Sequence, residues 1–131
     1  MLDRIDMVLE IPRENIDNLL DHDTQHMSSA DMQTSIVKAW TRQQVRFADS
    51  PLSANAHMGS KEIAAMITID DNAQALLKQA AIRLTLSPRV VHRIIKLART
   101  IADIDDTDTI QSRHIAESLQ YRSKSMFVDG E

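Results

Sequence analysis

Residues 87–102 read SPRVVHRIIKLARTIA, and this stretch decides the fold because it describes a helix buried on most of its sides. Ser87 is a favourable N-cap, and Pro88 suits the first helical position because its missing N–H would have no partner there. The stretch therefore predicts a central helix running to about Ile104. Two neighbouring apolar stripes support it: Val90, Ile94, Leu97, Ile101 and Ile104, and beside them Val91, Ile95, Ala98 and Ala102.

The same helix carries many cations, although the formal net charge of the whole chain is −4. Arg89 falls in the first turn, where the helix dipole disfavours a cation, so a phosphate or another anion approaching this end would explain it. The alternative is a solvated basic face paired with acids such as Asp103 and Asp105. Spacing alone leaves both readings open. The cations are Arg89, Arg93 and Lys96 on one strip, with His92 and Arg99 at its margin.

The composition predicts one small helical domain in a reducing compartment. Of 131 residues, 43% are hydrophobic, only two are glycine and three are proline, which leaves few tight turns. The acidic balance gives no general attraction to nucleic acid. The absence of cysteine excludes disulfides and thiolate metal sites, and no signal-peptide or membrane-spanning pattern is visible. We therefore expect a cytoplasmic protein with no membrane partner.

The N-terminal segment has the alternation of a β-strand. Ile5, Met7, Leu9 and Ile11 alternate with Asp6, Val8 and Glu10, and Pro12 ends the run. A single strand cannot pair its own backbone groups. We therefore expect the chain to begin inside a larger fold whose sheet it lacks; an extended N-terminal arm is the alternative.

The remainder predicts helices separated by short connectors. Residues 13–28 are polar and indicate a loop. Ser28 or Ser29 then caps a helix that continues to about Phe47. Ser60 caps a short helix, Asp70 or Asp71 caps the next, and residues 111–123 form the last. The expected fold class is mainly α, a bundle of four to five helices behind a stray N-terminal strand. The first of these helices is expected to pack one face formed by Met32, Ile36, Val37, Trp40 and Phe47.

Several segments together resemble the C-terminal lid domain of the magnesium-chelatase-like AAA+ ATPases, the ComM/YifB family. The resemblance covers essentially the whole chain. Trp40 stands where this family usually has arginine, so any role of that arginine is absent here. The segments that carry it are LDRIDMVLEIP at 2–12, SSADMQTSIVKAWTRQQVRF at 28–47, LSANAHM at 52–58, LSPRVVHRIIKLARTIADI at 86–104 and IQSRHIAESLQYR at 110–122.

The resemblance implies a division of the chain and two site residues. Residues 1–12 would be the last strand region of a P-loop ATPase core, 13–59 a linker with one long helix, and 60–131 the helical lid. Arg4 matches the arginine finger, a catalytic residue that acts in trans on a neighbouring subunit's γ-phosphate. Arg89 matches the sensor-2 arginine, which contacts nucleotide phosphate. Arg93, Lys96 and Arg99 receive no role.

The resemblance also implies cofactors and partners for the full-length protein, not for this chain alone. It would bind ATP and Mg²⁺ between subunits of a ring, which the resemblance implies is a hexamer, and it would act on DNA as a branch-migration helicase. Metal insertion into a porphyrin is the related alternative. This chain has no Gly-x-x-x-x-Gly-Lys-Ser/Thr motif and no strand ending in paired acids, so we expect it to bind no cofactor and to be inactive by itself.

Two other functions fit parts of the sequence. AAIRLTLSPRVVHRIIKLA, residues 80–98, resembles a DNA-binding helix-turn-helix, although its second helix is apolar on too many sides to lie in a groove. A helical adaptor domain is the third possibility. His22 and His26 have metal-ligand spacing only on a helix, whereas their surroundings indicate a loop, so no metal site is expected.

Overall fold

The computed structural model describes residues 7–9 and 28–121. Within these ranges the chain forms five α-helices and one 3-10 turn, which confirms the mainly helical class. Of the expected N-terminal strand only residues 7–9 are described, and they belong to no strand; Val8 N–H donates a hydrogen bond to the Tyr121 carbonyl. The elements are α1 (Ser29–Arg46), the 3-10 turn (Asn55–His57), α2 (Ser60–Met66), α3 (Asp71–Arg83), α4 (Pro88–Ile104) and α5 (Ser112–Gln120).

Side-chain caps begin three of the helices at the residues that the sequence predicts. The prediction of Ser60 as the cap of α2 is wrong, because Ser60 is the first residue of that helix and Gly59 is its N-cap. Ser28 Oγ accepts a hydrogen bond from the Asp31 amide at 3.1 Å, and Asp70 Oδ1 accepts from the Ala73 amide at 2.7 Å. Ser87 Oγ does the same for α4. Each cap satisfies an amide that has no partner inside the helix, so the start of the helix is encoded locally.

Two helices end in the same way, with a residue in the left-handed conformation. Thr85 follows α3 with φ 51°, and Asp106 follows α4 with φ 61°. In each case the next amide reaches back to the third-last helical carbonyl, as in the Thr107 N–H to Ala102 bond of 2.9 Å. This is the Schellman arrangement, which glycine usually supplies. The turn after α4 directs the loop back toward the helix that it leaves.

α4 is the central helix, as the sequence predicts. It packs against α1, α2, α5 and the 3-10 turn. Ile94, Ala98 and Ala102 are at most 1% exposed, whereas Ile104, expected on the same stripe, is 47% exposed. The buried core cluster also includes Phe47, Met58, Ile63, Ala73, Leu77, Ile95, Ile110 and Ile115.

α5 is fixed against α3 and α4 by backbone and side-chain bonds. Ile69, in the connector between α2 and α3, forms an isolated parallel bridge with Ile110, in the connector between α4 and α5. Ser118 Oγ donates to the Ile94 carbonyl at 3.1 Å. His114 is fully buried: its Nδ1 accepts from the Gln111 amide at 3.0 Å, so its Nε2 lies 2.9 Å from Asp105 as the donor. α5 thus closes one side of α4.

α1 packs differently from the sequence expectation. The prediction that one face of α1 is buried is wrong over most of the helix. Met32, Ile36 and Trp40 are each about half exposed, and Val37 is 56% exposed. In residues 29–38 every residue except Ser35 is exposed. The contacts to α4 come from the second half of α1, where Ala39 and Gln43 are buried. α4 ends at Ile104 and so offers no surface to the first half.

No helix of the described residues is long and apolar enough to cross a membrane.

Candidate functional site

Arg89 lies at the second position of α4 and is exposed. The first turn of α4 contains no acidic residue, and within residues 28–121 Arg89 makes no ion pair. The helix dipole and the guanidinium therefore present positive charge at the same exposed end. A planar guanidinium can hold two oxygens of a phosphate group, so this end of α4 is suited to an anion. Its contact with nucleotide phosphate stays a prediction.

Arg99, which the sequence placed at the margin of the cationic strip, is instead only 2% exposed. Its Nη1 donates to the Asp108 carbonyl at 2.6 Å, its Nη2 donates to the Thr107 carbonyl, and Nε and Nη2 both contact Asp103 Oδ1. The left-handed Asp106 turns these two carbonyls toward Arg99. Arg99 therefore holds the turn after α4 and is not available to a ligand.

Asp103 is the centre of this buried cluster and is completely inaccessible to solvent. Arg46 binds it with both terminal nitrogens, Nη2 to Oδ1 at 2.6 Å and Nη1 to Oδ2 at 2.9 Å. The Asn55 amide adds a third contact, to Oδ2 at 2.9 Å. One carboxylate thus receives two arginines and one amide, and it joins α1, the 3-10 turn and α4.

The cluster continues through neutral side chains. Gln43 Oε1 accepts from the Asn55 backbone amide at 2.8 Å, and Asn55 Nδ2 also donates to Thr100 at 3.1 Å. Burial lowers the pKa of Arg99, and the nearby Asp103 carboxylate opposes this shift. The sequence analysis named Asp103 as an alternative partner of the cations, but on a solvated face, and so it missed that the cluster is buried. The available signals were Asp103 within the apolar face of α4, four residues after Arg99, and Gln43 in the last turn of α1.

A second, exposed ion pair lies beyond the buried one. Arg42 contacts Asp106 at 2.8 Å and Asp108 at 2.7 Å. Hydrogen bonding to these carboxylates raises the pKa of Arg42, and the same bond lowers the pKa of Asp108. Arg46 meets Asp103 while the earlier Arg42 meets the later Asp106, so α1 crosses α4 in an antiparallel sense. The end of α4 that bears Arg89 is consequently the end opposite the exposed half of α1.

The other predicted site residue, Arg4, lies outside the described residues, as do His22 and His26, for which no metal site was expected. In the part of the chain that is described, no group of three or more histidine, aspartate or glutamate side chains is arranged to hold a metal ion.

The packing of α4 does not favour the helix-turn-helix reading. A recognition helix must present a face wide enough to enter the major groove. Here α1 and α5 both cover α4, and it also packs against the 3-10 turn. Only a strip that includes Arg89, His92 and Lys96 remains toward solvent, and the last two of these are half-buried.

Comparison with known proteins gives one consistent family. Residues 26–122 match the family described as magnesium chelatase, subunit ChlI C-terminal. The chain is 34% identical over 122 residues to competence protein ComM of Haemophilus influenzae, and 34% and 35% identical to the uncharacterized protein YifB of Salmonella typhimurium and Escherichia coli. Each alignment covers 93% of this chain but only 23% of the relative. The exposed arginine at the start of a central helix thus lies in a chain that belongs to the family described as magnesium chelatase, subunit ChlI C-terminal.

Proposed function

We propose that this chain is the lid of a ring-forming AAA+ ATPase in which Arg89 contacts a phosphate of ATP. The observation that carries the proposal is the exposed Arg89 guanidinium in the first turn of α4, with no carboxylate in that turn. Family membership supports the proposal, because the part of the chain that matches the family, residues 26–122, includes Arg89. ATP would supply the phosphate, and we assign the accompanying Mg²⁺ no ligand among the described residues.

The chemistry asked of Arg89 is electrostatic. In phosphoryl transfer, negative charge spreads over the oxygens of the transferred group, and a positioned guanidinium stabilises it. When the γ-phosphate leaves, this attraction weakens and the lid can move as a rigid body. The buried Asp103 cluster joins α1, the 3-10 turn and α4, so a displacement at Arg89 would carry these elements together.

We propose that Arg4 acts in the same ring as the arginine finger toward a neighbouring subunit. An arginine supplied in trans makes hydrolysis depend on subunit geometry, because the catalytic site is incomplete without the neighbour. The proposal rests on the LDRID segment at 2–6.

The motor's location and substrate belong to the same proposal. We place it in the cytoplasm as a hexamer acting on DNA by branch migration, with its own upstream ATPase core and neighbouring subunits as partners. Metal insertion into a porphyrin is the alternative substrate chemistry. Strand-exchange and chelatase assays on the full-length protein separate the two.

The test is ATP hydrolysis by the full-length protein that contains this chain. Arg89→Ala should lower turnover at saturating ATP by about tenfold or more, since one transition-state contact is removed. Arg4→Ala should lower turnover by roughly 10³-fold while leaving nucleotide affinity largely intact. Arg83→Ala is the matched control, because Arg83 is an exposed arginine in the last turn of α3.

Two results would overturn the assignment of Arg89. One is wild-type turnover in Arg89→Ala. The other is unfolding of the isolated chain by the same substitution, measured by circular dichroism, which would show a structural role.

A further inference from the structure

We propose that the cleft between α4 and the 3-10 turn is a second phosphate subsite, which binds another phosphate group of the nucleotide that Arg89 contacts. The inference rests on the proposed function and adds Lys96 to it. The cleft has a volume of about 100 Å³ and is lined by Ala56, Arg93, Lys96, Leu97 and Thr100. This volume suits one small anion and is too small for a whole nucleoside. None of the lining residues is acidic.

The state of Lys96 distinguishes it from the paired cations of the domain. Lys96 Nζ donates to the Ala56 carbonyl at 3.2 Å, which is a neutral acceptor. Within residues 28–121 it forms no ion pair, whereas Arg42, Arg46 and Arg99 each contact an aspartate. An ammonium has three donors, so the remaining ones can serve an anion in the cleft.

The position of Lys96 relates the cleft to Arg89. Residues 89, 93 and 96 have the i, i+4, i+7 spacing of one helix face. With a rise of about 1.5 Å per residue, Lys96 lies roughly 10 Å from Arg89 along the axis. Two long flexible side chains at this separation can converge on one polyphosphate chain. The cationic face therefore continues the Arg89 site for two turns.

The charge at the far end of α4 favours a short polyphosphate over a nucleic-acid backbone. Asp105, Asp106 and Asp108 are exposed at and beyond the C-terminus of α4. A long polyanion that followed the face from Arg89 past Lys96 would come to these carboxylates. A polyphosphate of three groups ends before it reaches them. The class of ligand is thus a nucleoside polyphosphate.

The experiment titrates the ¹⁵N-labelled 131-residue chain with inorganic phosphate, tripolyphosphate and a single-stranded 12-mer DNA. We expect saturable shifts of the Ala56 and Thr100 amides with both phosphates, and tripolyphosphate at least about fivefold tighter because it also reaches Arg89. Lys96→Met, which keeps the apolar stem, should weaken tripolyphosphate about fivefold, and Lys96→Arg should retain binding. Lys78→Met, an exposed position on α3, is the control and should change nothing.

The outcomes separate this inference from the proposed function. Unmoved Ala56 and Thr100 amides in both phosphate titrations would overturn the subsite, while the hydrolysis test of Arg89 would stand by itself. Phosphate binding in the cleft with tripolyphosphate affinity unchanged in Arg89→Ala would overturn the shared nucleotide. Tighter binding of the DNA than of tripolyphosphate would overturn the nucleoside polyphosphate as the ligand and identify a nucleic acid in its place. The Lys96→Met chain should have the melting temperature of the wild type, which shows that a change in its affinity is an effect on binding and not on folding.

Discussion

Replacing Asp103 with asparagine tests the buried cluster that joins α1 to α4. The substitution keeps the shape of the side chain but removes the negative charge between Arg46 and Arg99. Asp103 is fully buried, and the two guanidinium groups beside it are 14% and 2% exposed. Water therefore cannot replace the lost carboxylate. The asparagine amide nitrogen would also face donors, which adds an unfavourable contact.

The expected loss is large for one atom changed. Removing one partner of a buried ion pair costs about 3–5 kcal/mol, because the other charge remains buried without compensation. For a small domain this is a large part of a total stability of roughly 5–15 kcal/mol. With a urea slope of about 2 kcal/mol per molar, the unfolding midpoint should fall by ~2 M.

The assay is urea unfolding at low and at high salt, monitored by circular dichroism at 222 nm. The Asp103→Asn loss should persist in ~1 M NaCl, because screening reaches buried pairs weakly. Asp108→Asn is the matched control: it breaks the exposed pair with Arg42, so its midpoint should stay near the wild type. A midpoint for Asp103→Asn within about 0.5 M of the wild type would refute the reasoning.

Three further predictions follow from local geometry. Asp108 should titrate below its ordinary pKa because it accepts a hydrogen bond from Arg42. Its stabilising contact is therefore complete above about pH 3.8 and is lost as the pH falls through the lower pKa of the folded state. Carboxyl NMR should show that Arg42→Met returns the pKa of Asp108 to its ordinary value. Tyr121, the only tyrosine, should ionise above its usual pKa because it donates to Glu117, and absorbance at 295 nm should show Glu117→Gln lowering that value. Thr85→Gly should raise the melting temperature by a few degrees, about 0.5–1 kcal/mol, because φ is 51° there; a lower melting temperature would contradict this.

The helix boundaries were predictable because their signals are local. α4 runs from Pro88 to Ile104 as the sequence predicts, and Ser28, Asp70 and Ser87 cap their helices. A cap is a bond between residues three apart, so neighbouring letters contain it. The central position of α4 was predictable for a related reason, since two adjacent apolar stripes require cover on several sides.

The fates of individual charged and apolar side chains were not predictable in the same way. Arg99 has the polarity of a surface residue, yet the carbonyls that hold it come from the turn after α4, and that turn depends on the left-handed Asp106. Met32 and Ile36 have the spacing of a core face, yet α4 ends before it can cover them. Arg89 was predicted to lie away from the core and is exposed. Its proposed contact with phosphate depends on a bound nucleotide, which is a separate molecule and leaves no pattern in the spacing of residues.

The sequence by itself determined where the helices begin, that α4 is central, and that the chain has the family pattern carried by residues 26–122. The tertiary structure decided which cations of α4 are engaged, because burial and pairing depend on segments far apart in the chain. Arg46 and Asp103 are 57 positions apart and meet at 2.6 Å. Periodicity reports which side chains share a face, whereas the element packed on that face is set by the whole fold.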